Sequence, residues 1–215
     1  MHNIVAGIKT TAGNRRSKRF SGGSMKPDPR ERILKTAREL FAKYTPWKTT
    51  MDELAKKARV GKTTLYKFYP DKEDVMEAVF EQDMNAFWGE VYSQQSKARD
   101  PEDKLRIYFH VRQKAMKKMT ANYNVFEDDF AHHFAVYEKI RKRYFDREIS
   151  LIKEIFDEGK AKGIFIEFET DTGARSIVFA LKGLEQDWNY EKDMEKVNKR
   201  IDTMVNVIIY GLKPR

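Results

Sequence analysis

Residues 50–73 read TMDELAKKARVGKTTLYKFYPDKE, and the fold turns on how this stretch is parsed. Thr50 stands three residues before Glu53, the spacing of a capping box at a helix start. Leu54, Ala55 and Ala58 then fall on one face of a short helix. A third helix is expected from about Gly61 to Phe68, with Val60, Leu65 and Phe68 or Tyr69 turned inward. Two short helices joined by a tight turn, with small Ala55 where they cross, have the spacing of a helix-turn-helix. In that geometry the second helix enters the major groove and its first residues reach base edges. Here those residues are Lys62, Thr63, Thr64, Tyr66 and Lys67. Lys62, Thr63, Tyr66 and Lys67 share a face carrying two cations, a hydroxyl and a phenol, a mixture suited to phosphates and base edges. The same spacing also fits a solvated basic face on a small helical unit.

Upstream, Asp28-Pro29 reads as an N-cap followed by proline at the first helical position. Ile33, Leu34, Ala37, Leu40 and Phe41 recur at spacings of three and four, and Thr45-Pro46 is expected to end this first helix.

Taken together, residues 50–73 closely resemble the DNA-binding signature of the TetR family of transcriptional regulators, roughly T-x-x-x-I-A-x-x-A-G-V-S-x-G-T-L-Y-x-Y-F-x-x-K-E. The resemblance covers about 45 residues and rests on Leu54, Ala55, Ala58, Val60, Leu65, Tyr66 and Lys72. Arg59 stands where the family usually has a turn glycine, Gly61 replaces a serine cap, and Thr63 replaces a second glycine. Thr45-Pro46 replaces a glycine–aromatic pair, with Trp47 available as the aromatic. The resemblance implies that Thr50 and Tyr66 touch phosphates, and that Lys62, Thr63, Thr64 and Lys67 span base edges and backbone. It also implies that Lys72 binds a phosphate at the start of the fourth helix, aided by the helix dipole. Read without it, Tyr66 could equally be a packed core tyrosine and Lys72 a solvated lysine.

Composition narrows the rest. The chain has 215 residues, with 42 Lys+Arg against 33 Asp+Glu, a formal charge of +9. The charge is uneven: residues 1–25 contribute +5, residues 26–70 contribute +7, and residues 71–215 contribute −3. The cationic end therefore coincides with the helix-turn-helix. No run approaches the ~18–20 apolar residues of a membrane helix, so no membrane partner is expected. There is no cysteine, which excludes disulfides, cysteine-based zinc sites and thiol nucleophiles. Residues 1–25, with Ser21-Gly22-Gly23-Ser24, read as a disordered basic tail or a non-native extension ahead of Met25.

Residues 26–72 are thus expected to form a three-helix DNA-binding domain, and residues 73–215 a larger helical bundle, in an all-α protein. A fourth helix should run from about Asp71 to Ser96, with Val75, Met76, Val79, Phe80, Met84, Phe87, Trp88 and Val91 inward. Asp100-Pro101 opens a fifth, a break is expected at 122–124, and a long helix carrying Tyr137, Ile140, Tyr144, Glu148 and Ile155 should close at Gly159 or Gly163. Twenty aromatics lie in this body. Phe87, Trp88, Tyr108, Phe109, Met116, Phe126, Phe130, His133, Phe134 and Tyr137 are candidates to line a cavity for a flat or apolar ligand, or else to form ordinary core. The last two helices carry apolar stripes that would make half of a four-helix dimer interface or an internal core: Ile177, Leu181, Leu184 and Trp188 on one, Val197, Ile201, Met204 and Ile208 on the other. His132 and His133 are adjacent and point about 100° apart on a helix. No metal or cofactor site is expected from them.

No G-x-S-x-G, H-E-x-x-H or P-loop occurs, which argues against an enzyme. The resemblance implies a cytoplasmic, nucleoid-associated bacterial regulator, a homodimer on double-stranded operator DNA, released by a small-molecule effector. Two other readings remain open at this point: a DNA-binding protein of the same fold without a small-molecule ligand, and, remotely, a helical enzyme.

Overall fold

The computed structural model describes residues 28–123, 130–191 and 193–214. Among them eight helices follow one another: α1 Pro29–Lys48, α2 Met51–Ala58, α3 Lys62–Phe68, α4 Lys72–Gln95, α5 Pro101–Tyr123, α6 Phe130–Ala161, α7 Thr170–Tyr190 and α8 Met194–Leu212. The chain is all-α over these residues. The expected tail at 1–25 and Phe126 lie outside them, as do the side chains of Phe130, His133, Phe134, Tyr137, Leu184 and Trp188.

Helix α1 starts as its sequence requires. The Asp28 carboxylate accepts from the Arg30 amide, and Pro29 fills the first helical position. The regular helix ends where expected, because Thr45 leaves the helical region, and a separate turn from Pro46 to Lys48 follows the kink. Proline has no amide to continue the ladder and drives the preceding residue out of the helical region. Thr45 sits at φ 65°, ψ 156°: its ψ is the extended value proline favours, while its positive φ is not one that proline imposes. The extra turn is held by the Thr49 hydroxyl, which donates to the Thr45 carbonyl at 2.9 Å.

Helix α2 opens on a complete capping box: Glu53 donates its amide to Thr50 Oγ1 at 3.2 Å, and Thr50 donates its amide to Glu53 Oε2 at 3.1 Å. It closes on Arg59 at φ 54°, ψ 47°, the left-handed conformation that glycine usually supplies. Leu54, Ala55, Ala58 and Leu65 are buried against the α1 stripe of Ile33, Leu34, Ala37, Leu40 and Phe41. Helix α4 opens on a second capping box, Asp71 with Asp74, and all eight of its expected inward residues are buried.

Helix α5 is the central strut. It packs against α1, α4, α6, α7 and α8. Helices α6 and α7 lie side by side. Both expected glycines act at the end of α6, each differently. Gly163 takes φ +66° just past the helix, while Gly159 stays inside it and lets the Phe165 ring rest where a Cβ would come within 1.9 Å.

Candidate nucleic-acid interface and sensor cavity

The α2–α3 turn leaves one side of α3 outside. Lys62, Thr63, Tyr66 and Lys67 are exposed, Thr64 is half-buried, and Leu65 is fully buried beneath them. Tyr66 is 46% exposed, so it is a surface phenol rather than a core tyrosine. Thr50 is exposed at the start of α2, but its side chain is already engaged as the cap. Lys62 is also engaged: its Nζ lies 2.7 Å from Asp52 Oδ2 on α2, and that carboxylate raises the Lys62 amine above its ordinary value.

Lys72 does not stand free at the tip of α4. Its Nζ donates to the Trp47 carbonyl at 2.9 Å, and burial lowers its amine below the ordinary lysine value. It therefore joins the start of α4 to the end of α1. A second tie runs between the same helices, from Arg38 to Asp83 at 2.8 Å. Tyr44 was not singled out from sequence. It is 43% exposed beneath the amines of Lys43 and Lys57, whose nitrogens lie 4.8 and 5.6 Å from its ring. Lys43 lowers its phenol pKa. The adjacent Lys43-Tyr44 pair was the available signal, but only the fold brings Lys57 to the same ring.

In the body, the aromatic candidates separate. Trp88, Tyr108 and Phe109 are packed into the core, at 2%, 0% and 2% exposure. Met116 lines an inner cavity of about 20 Å³, together with Phe80, Met84, Met119, Tyr144 and Phe145. Its polar wall was missed from sequence: Arg112 Nε donates to Glu148 Oε1 at 3.1 Å, with side chains only 2% and 7% exposed. Glu148 looked like one more position on a long helix, and nothing local announces a partner 36 residues away. Tyr108 lies close to the pair; burial, then the Glu148 charge, push its phenol well up, and its hydroxyl lies within reach of both Glu148 and Arg112. Phe87 instead lines an open groove of about 210 Å³ between α4 and α5.

The dimer candidates also divide. Leu181, Val197 and Ile201 are at most 2% exposed and belong to the chain's own core, with α7 packed chiefly on α6 and α8 packed on α5. Ile177, Met204 and Ile208 are half-buried at its edge. Among the described residues of these helices, Phe179, Val207 and Tyr210 point outward at 59%, 67% and 75% exposure, and Met194 at the start of α8 is 36% exposed. His110, on α5, pairs through Nε2 with Asp202 on α8 at 2.9 Å. No helix among the described residues is long and apolar enough to cross a membrane.

Residues 33–79 match the family described as bacterial regulatory proteins, tetR family. A curated relative, the uncharacterized HTH-type transcriptional regulator YhgD of Bacillus subtilis, is 39% identical over 56 residues. That match takes in 26% of this chain and spans only 29% of the relative's length. Over nearly the whole chain the likeness is one of fold. A transcriptional regulator from Cytophaga hutchinsonii superposes with TM-score 0.69 at 22% identity, covering 86% of this chain and 98% of that one. The fatty acid degradation regulator FadR from Bacillus halodurans superposes with TM-score 0.66 at 24% identity, covering 84% and 95%.

Proposed function

With residues 33–79 belonging to the tetR family of bacterial regulatory proteins and the chain folded as its relatives are, we propose that this protein is a dimeric transcriptional repressor released from a palindromic operator by a small apolar or aromatic ligand. The observation that carries the reading is the outer face of α3. There Lys62, Thr63, Tyr66 and Lys67 stand exposed on a helix whose opposite side, Leu65, is locked into the core. Such a face offers cations and hydroxyls to phosphates and base edges from a rigid support. Thr50 and Thr64 flank it, and the cationic surplus of residues 26–70 favours a polyanion at this end only. In this reading residues 26–72 are the DNA-binding domain and 73–215 the sensing and dimerising domain of a cytoplasmic, nucleoid-associated protein.

Release follows from the ties between α4 and α1. A ligand that shifts α4 pulls on Lys72–Trp47 and Arg38–Asp83, and so on the support of α2 and α3. A coupling of ~1–3 kcal/mol lowers DNA affinity about 5- to 150-fold. The second copy is supported by exposed apolar side chains on the last two helices, Phe179 on α7 and Val207 and Tyr210 on α8.

Selection of bound sequences from random duplex DNA tests the reading. A near-palindrome with half-sites ~34–36 Å apart is the expected result. No enrichment over random duplex at moderate salt would overturn it.

A further inference from the structure

We infer that the sensor half takes an uncharged, mostly apolar molecule with one hydrogen-bonding group, seated across Met119 between the α4–α5 groove and the buried Arg112–Glu148 pair. This deepens the ligand-released reading above and rests on it.

The two spaces are complementary. The inner cavity, about 20 Å³, has room for one water-sized group. The groove outside, about 210 Å³, has room for the body of a small molecule. Among the described residues, Met119 is the one side chain that lines both. It is 6% exposed, and a methionine side chain with three rotatable bonds can swing aside without moving backbone. Met84 and Met116 lie in the same inner wall, so the cavity can widen as the molecule enters.

Charge then selects the ligand. Among the described residues the inner lining carries one cation and one anion, Arg112 and Glu148, already in contact at 3.1 Å. The described residues of the groove carry two of each, Lys114 and Lys118 against Asp83 and Glu90. Charge is balanced among these described residues, and burying an uncompensated ionised ligand is costly. A hydroxyl or carbonyl can instead join the Arg112–Glu148 pair and the buried Tyr108 hydroxyl beside it. The position is also informative: Asp83, on the groove wall, is the α4 end of the tie to Arg38 on α1.

The test uses the full chain and two matched probe pairs, 1-decanol with decanoate and 4-butylphenol with 4-butylbenzoate, measured by calorimetry and by release of selected operator DNA. The neutral probes should bind at least about tenfold tighter than their carboxylates. Glu148→Gln removes one negative charge from the pair and should shift that ratio toward the carboxylates by about tenfold. Met119→Ala leaves the pair intact and should speed association of the phenol several-fold, which keeps the test alive if Glu148→Gln does not fold. Carboxylates binding wild type as tightly as the neutral probes, an unchanged ratio in Glu148→Gln, or no binding by any probe would overturn the proposal. Operator binding by the unliganded chain is scored on the same sample: its loss strikes the regulator reading, and its persistence with no probe effect strikes only the ligand.

Discussion

Lys72, the first residue of α4, donates its ammonium to the backbone carbonyl of Trp47 in the last turn of α1, 2.9 Å away. Resemblance alone casts Lys72 as a phosphate contact. The contact it makes here is internal, and it couples the start of the long α4 to the kinked end of the helix that supports α2 and α3. The two roles leave different signatures in salt dependence. We expect Lys72→Met to weaken operator binding several-fold with an unchanged slope of log K against log salt concentration. A phosphate contact would lower that slope by about one.

If α3 reads DNA as proposed, Asp52 competes with it for Lys62. The pair at 2.7 Å is exposed on both sides, so it adds little stability, but it holds the Lys62 amine toward α2. Asp52→Asn should tighten operator binding several-fold in a fluorescence-anisotropy titration and leave the melting temperature nearly unchanged. Weaker binding would mean that Asp52 orients Lys62 rather than distracting it.

Arg59 occupies a left-handed conformation at φ 54°, where a side chain costs ~1–2 kcal/mol relative to glycine. Arg59→Gly should therefore stabilise the protein by about 1 kcal/mol, or ~2–4 °C in Tm for a chain of this size. Arg59→Ala should give no such gain, because the Cβ remains. Thr45, at φ 65°, is a less clean site: it is buried and its hydroxyl accepts from the Lys48 amide, so removing its side chain loses contacts as well as strain.

Val207 and Tyr210 stand on the outer face of α8, 67% and 75% exposed. Val207→Glu combined with Tyr210→Glu should halve the mass seen in sedimentation while leaving the helical circular dichroism intact. Leu181→Glu, buried in the chain's own core, should instead unfold the protein. A mass unaffected by the outer pair would place the dimer contact elsewhere.

Acid should loosen the α5–α6 contact. Hydrogen bonds from Lys104, then from Lys162, hold the Glu158 carboxyl below its ordinary value. A depressed carboxyl contributes stability above its ordinary value of ~4.3, and that contribution is lost as pH falls through the folded value. The melting temperature should thus be level near neutrality and fall below about pH 4.5. Glu158→Gln should show a smaller acid drop, measured by thermal unfolding at pH 7 and pH 4.

Much of the fold was legible because local chemistry repeats along the chain. The capping boxes at Thr50 and Asp71 mark helix starts through side chains three residues away. The stripes of α1 and α4 follow from helical periodicity, and every residue assigned to them is buried. The end of α1 was less legible, since Pro46 predicts a break but not the further turn that Thr49 holds to the Thr45 carbonyl. The stripes of α7 and α8 left two readings open. Periodicity shows that Leu181, Val197 and Ile201 face an apolar surface, but not whether that surface belongs to the same chain or to another.

The sequence by itself determined the helix-turn-helix, the face of α3 that carries Lys62, Thr63, Tyr66 and Lys67, and the concentration of positive charge at that end. Each depends on residues within a few positions of one another. Tertiary structure decided the long-range matters: that Lys72 and Arg38 tie α4 to α1, that Phe179, Val207 and Tyr210 are left outside, and that Arg112 meets Glu148 at the inner cavity. These pairings join helices far apart in the chain, and the side chain of a charged residue does not encode which distant partner packing will bring to it.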